Sequence, residues 1–159
     1  MYIFAFDISM SSTGLCIFTE KGNWEKVLSI PTNSKDDHKD RLKTIADSVL
    51  ELRKSFETFS MVYESGFSRY TTSTQTIFKV IGLVQFLFAD CNQKGYAPST
   101  VRKIVCGNGR ADKKDVEKAV LNYWPDLQMT DNDQSDACGV ALCYLIDGGY
   151  IKNGTKKSL

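Results

Sequence analysis

The first strand of the chain places the strongest limit on the fold. In "YIFAFDI", residues 2–8, apolar side chains occupy both alternation phases up to Asp7. Because successive side chains of a strand point to opposite faces, this pattern predicts a strand buried on both faces. Such a strand lies inside a sheet that has other elements packed on each side of it.

The remaining sequence predicts an α/β fold. The predicted elements after the first strand are strands at 15–20 and 24–30, a helix at 36–59, a strand at 60–64, a helix at 74–91, a short strand or loop at 95–98, a short helical turn at 99–105, and helices at 111–124 and 134–149. We expect a mixed five-stranded sheet, in which a three-stranded antiparallel meander is joined to parallel strands, with helices on both faces.

The length of 159 residues suits one domain, 1–159, and we expect residues 150–159 to form a flexible basic tail. No apolar run approaches the ~20 residues that a membrane helix needs. The N-terminus lacks the basic region of a secretory signal, so a cytoplasmic location is expected. Five scattered cysteines without CxxC spacing favour buried free thiols.

Positive charge is concentrated in one part of the chain. The net charge of +1 gives no overall signal for binding a polyanion. A local basic face can still bind one. The residues of the predicted basic cluster are Arg102, Lys103, Arg110, Lys113, Lys114 and Lys118. The alternative is an ordinary solvated helix face.

Acidic residues stand at the ends of apolar elements. Asp7 and Glu64 end two predicted strands, and Asp133 and Asp136 lie three apart at the start of the last helix. If the two strands are parallel neighbours, their carboxyl ends meet at one edge of the sheet. Buried carboxylates repel one another and need a counter-charge. With the only histidine, His38, far from the acids, oxygen ligands favour Mg²⁺ or Mn²⁺ over zinc.

The acids of the last helix have a second interpretation. Asp133 is a possible helix cap, with Asp136 at the third helical position as in a capping box. In either case we expect Asp131 to be a solvent-facing charge of the preceding loop, and Asp147 to lie at the far end of the helix. The residues of this helix alone leave both interpretations open.

Four stretches together resemble RuvC-type Holliday-junction resolvases of the RNase H-like superfamily. "FAFDISMSSTGLCIF" (4–18) resembles the first strand with its acid at Asp7, and "VYESGF" (62–67) resembles the strand with the second acid, Glu64. "GNGRADKKDVEKAV" (107–120) resembles the segment whose lysine is Lys113, with GNG in place of GTG. "DQSDACGVAL" (133–142) resembles the helix that carries the last two acids.

The resemblance implies a dimeric, metal-dependent endonuclease that nicks two strands of a four-way DNA junction. It implies an RNase H-like fold with two Mg²⁺ (or Mn²⁺) ions per site. The implied metal ligands and catalytic residues are Asp7, Glu64, Asp133 and Asp136, with Lys113 as a further catalytic residue at the scissile phosphate. Bacteriophage origin is expected from the short chain, basic tail and divergent loops.

The resemblance also implies how branched DNA is held. Phe67, in the loop 65–73, resembles the aromatic that stacks on bases near the crossover, although a core phenylalanine is the competing interpretation. Arg69 and Tyr70 of the same loop are further candidates for DNA contact, beside the basic cluster. The helix at 74–91 is expected either at a homodimer interface or in the core. The rival functions are another RNase H-like nuclease (RNase H or transposase-like) and a non-catalytic protein that binds branched DNA.

Overall fold

The structure is a computed structural model that describes residues 1–65 and 72–152. Five strands and five helices are defined there. In chain order they are β1 Tyr2–Asp7, β2 Ser12–Phe18, β3 Trp24–Pro31, α1 His38–Ser55, β4 Thr58–Glu64, α2 Thr72–Leu87, β5 Asn92–Tyr96, α3 Pro98–Cys106, α4 Lys113–Tyr123 and α5 Asn132–Asp147.

The strands form one mixed sheet in the order β3-β2-β1-β4-β5. β1, β2 and β3 pair antiparallel as a meander, whereas β4 pairs parallel with β1 and β5 pairs parallel with β4. The predicted fold class is therefore confirmed. The central strand is β1, which pairs with β2 on one side and β4 on the other, and its side chains are fully buried from Ile3 to Phe6.

Helices cover both faces of the sheet. Alternate side chains of β1 divide between two cores: Phe4 and Phe6 pack with α1 and α2, whereas Ile3 and Ala5 pack with α3, α4 and α5. Every residue of α5 from Ala137 to Cys143 is buried, because this helix lies directly on the sheet with α3 and α4 packed beside it.

Several element ends differ from the prediction. The helix predicted at 36–59 ends at Ser55, and the following strand begins at Thr58. The edge strand β5 begins at Asn92, earlier than the segment at 95–98 that was predicted as strand or loop. Four of its five residues are exposed, so the alternation of apolar and polar residues that identifies a strand is absent.

The cysteines and the C-terminal segment have clear positions. All five cysteines are free, and Cys16, Cys138 and Cys143 are buried. Tyr150, the first residue of the predicted tail, stacks on Tyr144 and donates a hydrogen bond to Glu20, whereas residues 153–159 lie outside the described part of the chain. In the ranges 1–65 and 72–152, no helix has the length and apolar character to cross a bilayer.

The start of α5 approaches β2 closely at Gly14. A Cβ atom placed on Gly14 would lie 2.0 Å from the backbone carbonyl oxygen of Asp133. Backbone atoms cannot turn aside as a flexible side chain can, so only glycine fits at this position. The absence of a side chain on β2 thus determines how near the first turn of α5 lies to the sheet.

We expect Gly14→Ala to destabilise the protein by ~1–3 kcal/mol, the usual effect of overpacking, because the added methyl pushes α5 away from β2. The matched control is Gly82→Ala in α2, where a Cβ atom meets nothing within 4 Å. The control is expected to raise stability by ~0.5–1 kcal/mol at protein concentrations low enough that self-association does not contribute. Urea unfolding measures both free energies, and equal stability of the two variants would contradict the close approach.

Candidate active site

Asp7 and Glu64 end the two parallel strands at the centre of the sheet. Phe6 lies opposite Tyr63 in the β1–β4 pairing, and the next residue of each strand is the acid. Alternation along the strands puts both acids on the face that α5 covers. The structure thus brings these two predicted residues together at the carboxyl edge of the sheet.

The first turn of α5 adds the other two acids. The helix begins at Asn132, and its N-cap is Asp131, whose Oδ1 accepts a hydrogen bond from the Gln134 amide at 2.9 Å. The interpretation of Asp133 as the cap is therefore wrong, and Asp131, although exposed, is a cap and not a simple loop charge. Asp133 and Asp136 are left free for another role.

Three of the four acids surround one cavity of about 130 Å³. Strands β1 and β4 form its floor, and α3, α4 and α5 contribute its walls. The residues that line it are Asp7, Glu64, Val101, Arg102, Lys113, Val116 and Asp136. Asp133 is half-buried and does not line the cavity, yet its charge acts on Asp7.

The carboxyl of Asp7 is the most perturbed acid of the cavity. Burial, together with the charges of Asp136, Glu64 and Asp133, raises its pKa from 3.8 to about 7, against the opposing effect of Lys113. The pKa of Glu64 is also raised, mainly by burial and then by the charge of Asp136. The positive charges of Arg102 and Lys113 partly oppose this rise. The two cations therefore neutralise this group of acids only in part.

Lys113 is the cation of the cavity that forms an ion pair with one of the acids. A capping box between Asp112 and Asp115 starts α4 at Lys113, which points this side chain into the cavity. Its Nζ donates a hydrogen bond to Asp136 Oδ2 and forms an ion pair with it. That hydrogen bond raises the pKa of the Lys113 ammonium, so Lys113 stays charged at neutral pH.

The donor atoms of the cavity fit a hard divalent cation. Neither histidine nor cysteine lines it, and carboxylate oxygens are the ligands that Mg²⁺ and Mn²⁺ prefer. In the described conformation, no three His, Cys, Asp or Glu side chains of residues 1–65 and 72–152 converge closely enough to hold an ion. Binding of an ion would therefore require the carboxylates around the cavity to come closer together.

Of the other predicted DNA contacts, only some line the cavity. Arg102 lines it, whereas Lys118 lines a separate cleft between α3 and α4. The remaining members of the basic cluster are exposed and do not line the cavity; they are Lys103, Arg110 and Lys114. The loop candidates Phe67, Arg69 and Tyr70 lie outside the described residues.

Sequence reasoning missed three residues that shape the site. Gly14 admits the first turn of α5, Asp131 caps that helix, and Ser29 of β3 contacts the cap through its hydroxyl. An Asp three residues before Gln134 was a detectable capping signal for Asp131. Nothing in the sequence around Ser29 indicates its contact, since the two partners are 102 residues apart.

Comparison with known sequences identifies relatives over nearly the whole chain. A family model described as "Crossover junction endodeoxyribonuclease RuvC" matches residues 3–144. A protein of that name from Alkaliphilus metalliredigens is 30% identical over 159 residues, covering 94% of this chain and 96% of its own. Another from Prochlorococcus marinus is 28% identical and covers 94% of this chain and 99% of its own.

Solved structures share the fold. RuvC from Thermus thermophilus superposes with a TM-score of 0.82 at 19% identity, covering 94% of this chain and 96% of that one. The same protein in complex with Holliday junction substrate gives a TM-score of 0.78 at 21% identity, covering 93% and 94% of the two chains. Given the family match over 3–144 and the full-length relatives, the chain belongs to the crossover junction endodeoxyribonuclease RuvC family.

Proposed function

We propose that this protein is a metal-dependent endonuclease that cuts four-way DNA junctions and other branched DNA. The observation that carries the proposal is the group of carboxylates at one edge of the sheet, only partly neutralised by two cations. Membership of the RuvC family and the likeness to a structure described as a complex with Holliday junction substrate support the choice of DNA.

The acids would hold divalent ions. Asp7, Glu64 and Asp136 already share the cavity, and Asp133 is near enough to influence the charge of Asp7. We propose Mg²⁺ or Mn²⁺, two per site, as the ions. Such a pair would supply the chemistry of in-line phosphodiester hydrolysis. The resemblance to RuvC-type resolvases implies products with a 5′ phosphate and a 3′ hydroxyl.

Lys113 has two roles in this proposal. In the absence of metal its ammonium neutralises Asp136. With Asp136 holding an ion, the Lys113 ammonium would be available to a DNA phosphate at the same cavity. A lysine suits this exchange because its flexible stem carries a compact charge that can move by several ångströms.

The basic cluster would hold the DNA backbone around the cut. Arg102 lies at the cavity itself, and Lys103, Arg110 and Lys114 present exposed charges on α3, α4 and the loop that joins them. Contacts to phosphates release counterions, so junction affinity should fall steeply as salt rises. We propose Phe67, Arg69 and Tyr70 as contacts at the crossover. Such activity on cellular DNA suits a cytoplasmic protein.

We further propose a homodimer through the outer face of α2. Phe78 is 57% exposed and Phe86 is 77% exposed, and Gly82 lies between them on the same side of the helix. Eight residues of helix span ~12 Å, so the two rings frame a small-residue gap into which a partner's ring could fit. Two-fold symmetry would place one site on each of two strands of a junction.

Cleavage of a labelled four-way junction tests the function. Wild type with Mg²⁺ or Mn²⁺ should cut the junction in preference to a linear duplex and an RNA–DNA hybrid. Asp7→Asn should lower the rate by at least ~10³-fold, because metal stabilisation of transition-state charge is worth several kcal/mol, while junction binding in EDTA persists.

The matched control is Asp126→Asn, an exposed aspartate of the loop after α4, which should cut like wild type. Failure of wild type to cut any substrate would contradict the nuclease function and favour a branched-DNA-binding protein. Preferred cutting of the hybrid would favour an RNase H. Equal rates for wild type and Asp7→Asn would contradict the site.

The pKa of Asp7 makes stability depend on pH and metal. Its carboxyl has a pKa of about 7 in the folded protein and an ordinary value of 3.8 when exposed. Between these values only the folded state keeps the proton, so this group makes the free energy of unfolding fall as pH rises towards 7 and stay level above it.

Metal-free Asp7→Asn should therefore be more stable than wild type above pH 7, by ~4 kcal/mol at most. The difference should close as the pH falls towards ~4, where the acid is protonated in both states. Added Mg²⁺ should stabilise wild type and not the variant. Urea unfolding in EDTA and in Mg²⁺ measures this, with Asp126→Asn as control. If the difference in free energy of unfolding between Asp7→Asn and wild type did not change with pH, the raised pKa of Asp7 in the folded protein would be contradicted.

Phe86→Glu tests the dimer, because a charge in an apolar interface is strongly unfavourable. The dimer dissociation constant should rise at least ~30-fold, in line with loss of an interface hot spot. The control is Leu50→Glu on α1, another exposed apolar residue, which should leave association unchanged. Sedimentation equilibrium measures both constants. A monomeric wild type at high concentration would refute the proposed interface.

A further inference from the structure

Three residues form one row across the antiparallel part of the sheet. Asp7 of β1 lies opposite Gly14 of β2, and Gly14 lies opposite Ser29 of β3. Their alternation partners Ala5, Cys16 and Val27 all belong to the core beneath α5. The row therefore faces α5, with an acid at one end, a gap in the middle and a hydroxyl at the other end.

The hydroxyl of Ser29 holds the cap of α5. Ser29 Oγ lies 2.8 Å from Asp131 Oδ1 and 2.7 Å from Asp131 Oδ2, so its single proton is shared by the carboxylate. The same carboxylate accepts from the Gln134 amide at 2.9 Å, which starts the helix. One side chain of β3 is thus connected to the helix end through the residue that initiates it.

The hydrogen bond from Ser29 to Asp131 has a different effect from the helix cap that Asp131 forms. An aspartate cap stabilises a helix start wherever the helix lies, because it needs only the amides of that helix. The bond from Ser29 adds a fixed point on the sheet. Gly14 limits how close the Asp133 backbone can come to β2, and Ser29 limits how far the cap can move from β3.

We propose that Ser29 is a positioning residue of the active site: by holding Asp131 to β3, it sets where Asp133 and Asp136 stand relative to Asp7. The inference rests on the proposed nuclease function, in which Asp133 and Asp136 are metal ligands. Metal-site carboxylates need such support, because an ion accepts only a narrow range of ligand distances. Asp136 is five residues beyond the held cap, little more than one helical turn.

Ser29→Ala removes the hydroxyl and leaves the cap in place. The single-turnover rate of junction cleavage should fall by ~10–100-fold, and the Mg²⁺ concentration for half-maximal rate should rise, as for other residues that orient metal ligands. Junction affinity in EDTA should stay within about twofold of wild type, since Ser29 is not part of the basic cluster. Ser29→Thr keeps a hydroxyl on the strand and should restore most of the rate.

The matched control is Ser60→Ala. Ser60 is also a strand serine whose hydroxyl reaches another element, the carbonyl of Asn92 at 3.2 Å, but it lies four residues before Glu64 and makes no contact with the cap of α5. The single-turnover cleavage rate of Ser60→Ala should fall by no more than about twofold, although its melting temperature should be similar to that of Ser29→Ala. An equal loss of rate in both variants would overturn the inference, because general weakening of the sheet would explain it.

A readout without DNA separates this inference from the nuclease function. Amide hydrogen exchange of residues 132–136 in metal-free protein should be faster in Ser29→Ala and near normal in Ser29→Thr. Asp131→Ala should exchange faster still, and adding Ser29→Ala to it should change nothing, since both remove the same bond. If wild type cuts no substrate, the proposed function fails, and unchanged exchange in Ser29→Ala would overturn the positioning role. If wild type cuts and Ser29→Ala cuts equally fast, only this inference fails.

Discussion

Asp7 is buried at the end of β1, where burial and neighbouring acids raise the pKa of its carboxyl to about 7. Removing a carboxylate from water next to other carboxylates is unfavourable unless a cation compensates for it. The surrounding elements supply that compensation only in part: α4 contributes Lys113 and α3 contributes Arg102. The folded chain thus maintains an electrostatic cost that a divalent ion would relieve, which is the expected state of a metal site before binding.

Packing around α5 determines whether the acids can act together. The helix is buried through most of its length, so its direction is set by the core that it shares with β1 and β2. Its first turn has two further contacts with the sheet, the close approach at Gly14 and the hydrogen bond from Ser29 to the cap Asp131. Small residues on two strands therefore lie against the turn of α5 that carries Asp133 and its cap. The candidate site therefore depends on the packing of α5 against the row formed by Asp7, Gly14 and Ser29, as well as on its charged side chains.

Prediction from sequence was most successful where local pattern and burial agree. The continuous apolar run of β1 and the meander after it specified the sheet, and Asp7 and Glu64 were placed at strand ends correctly. It was weaker where polar residues form structure through distant partners. The edge strand β5 has an exposed surface with no alternation, and its pairing with β4 alone makes it a strand. The cap of α5 was assigned to Asp133 as one alternative, although Asp131 is the residue that accepts the Gln134 amide.

The sequence by itself determined the order of elements and the family, and it made the four acids candidates for the site, because hydrophobic periodicity and short motifs are local properties of the chain. Only the tertiary structure decided that Asp136 is paired with Lys113, that Asp133 stands beside the cavity, and that Ser29 holds the helix cap. These contacts join residues 23 and 102 positions apart. Their distances follow from how α4 and α5 pack on a twisted sheet, which no local pattern in the chain encodes.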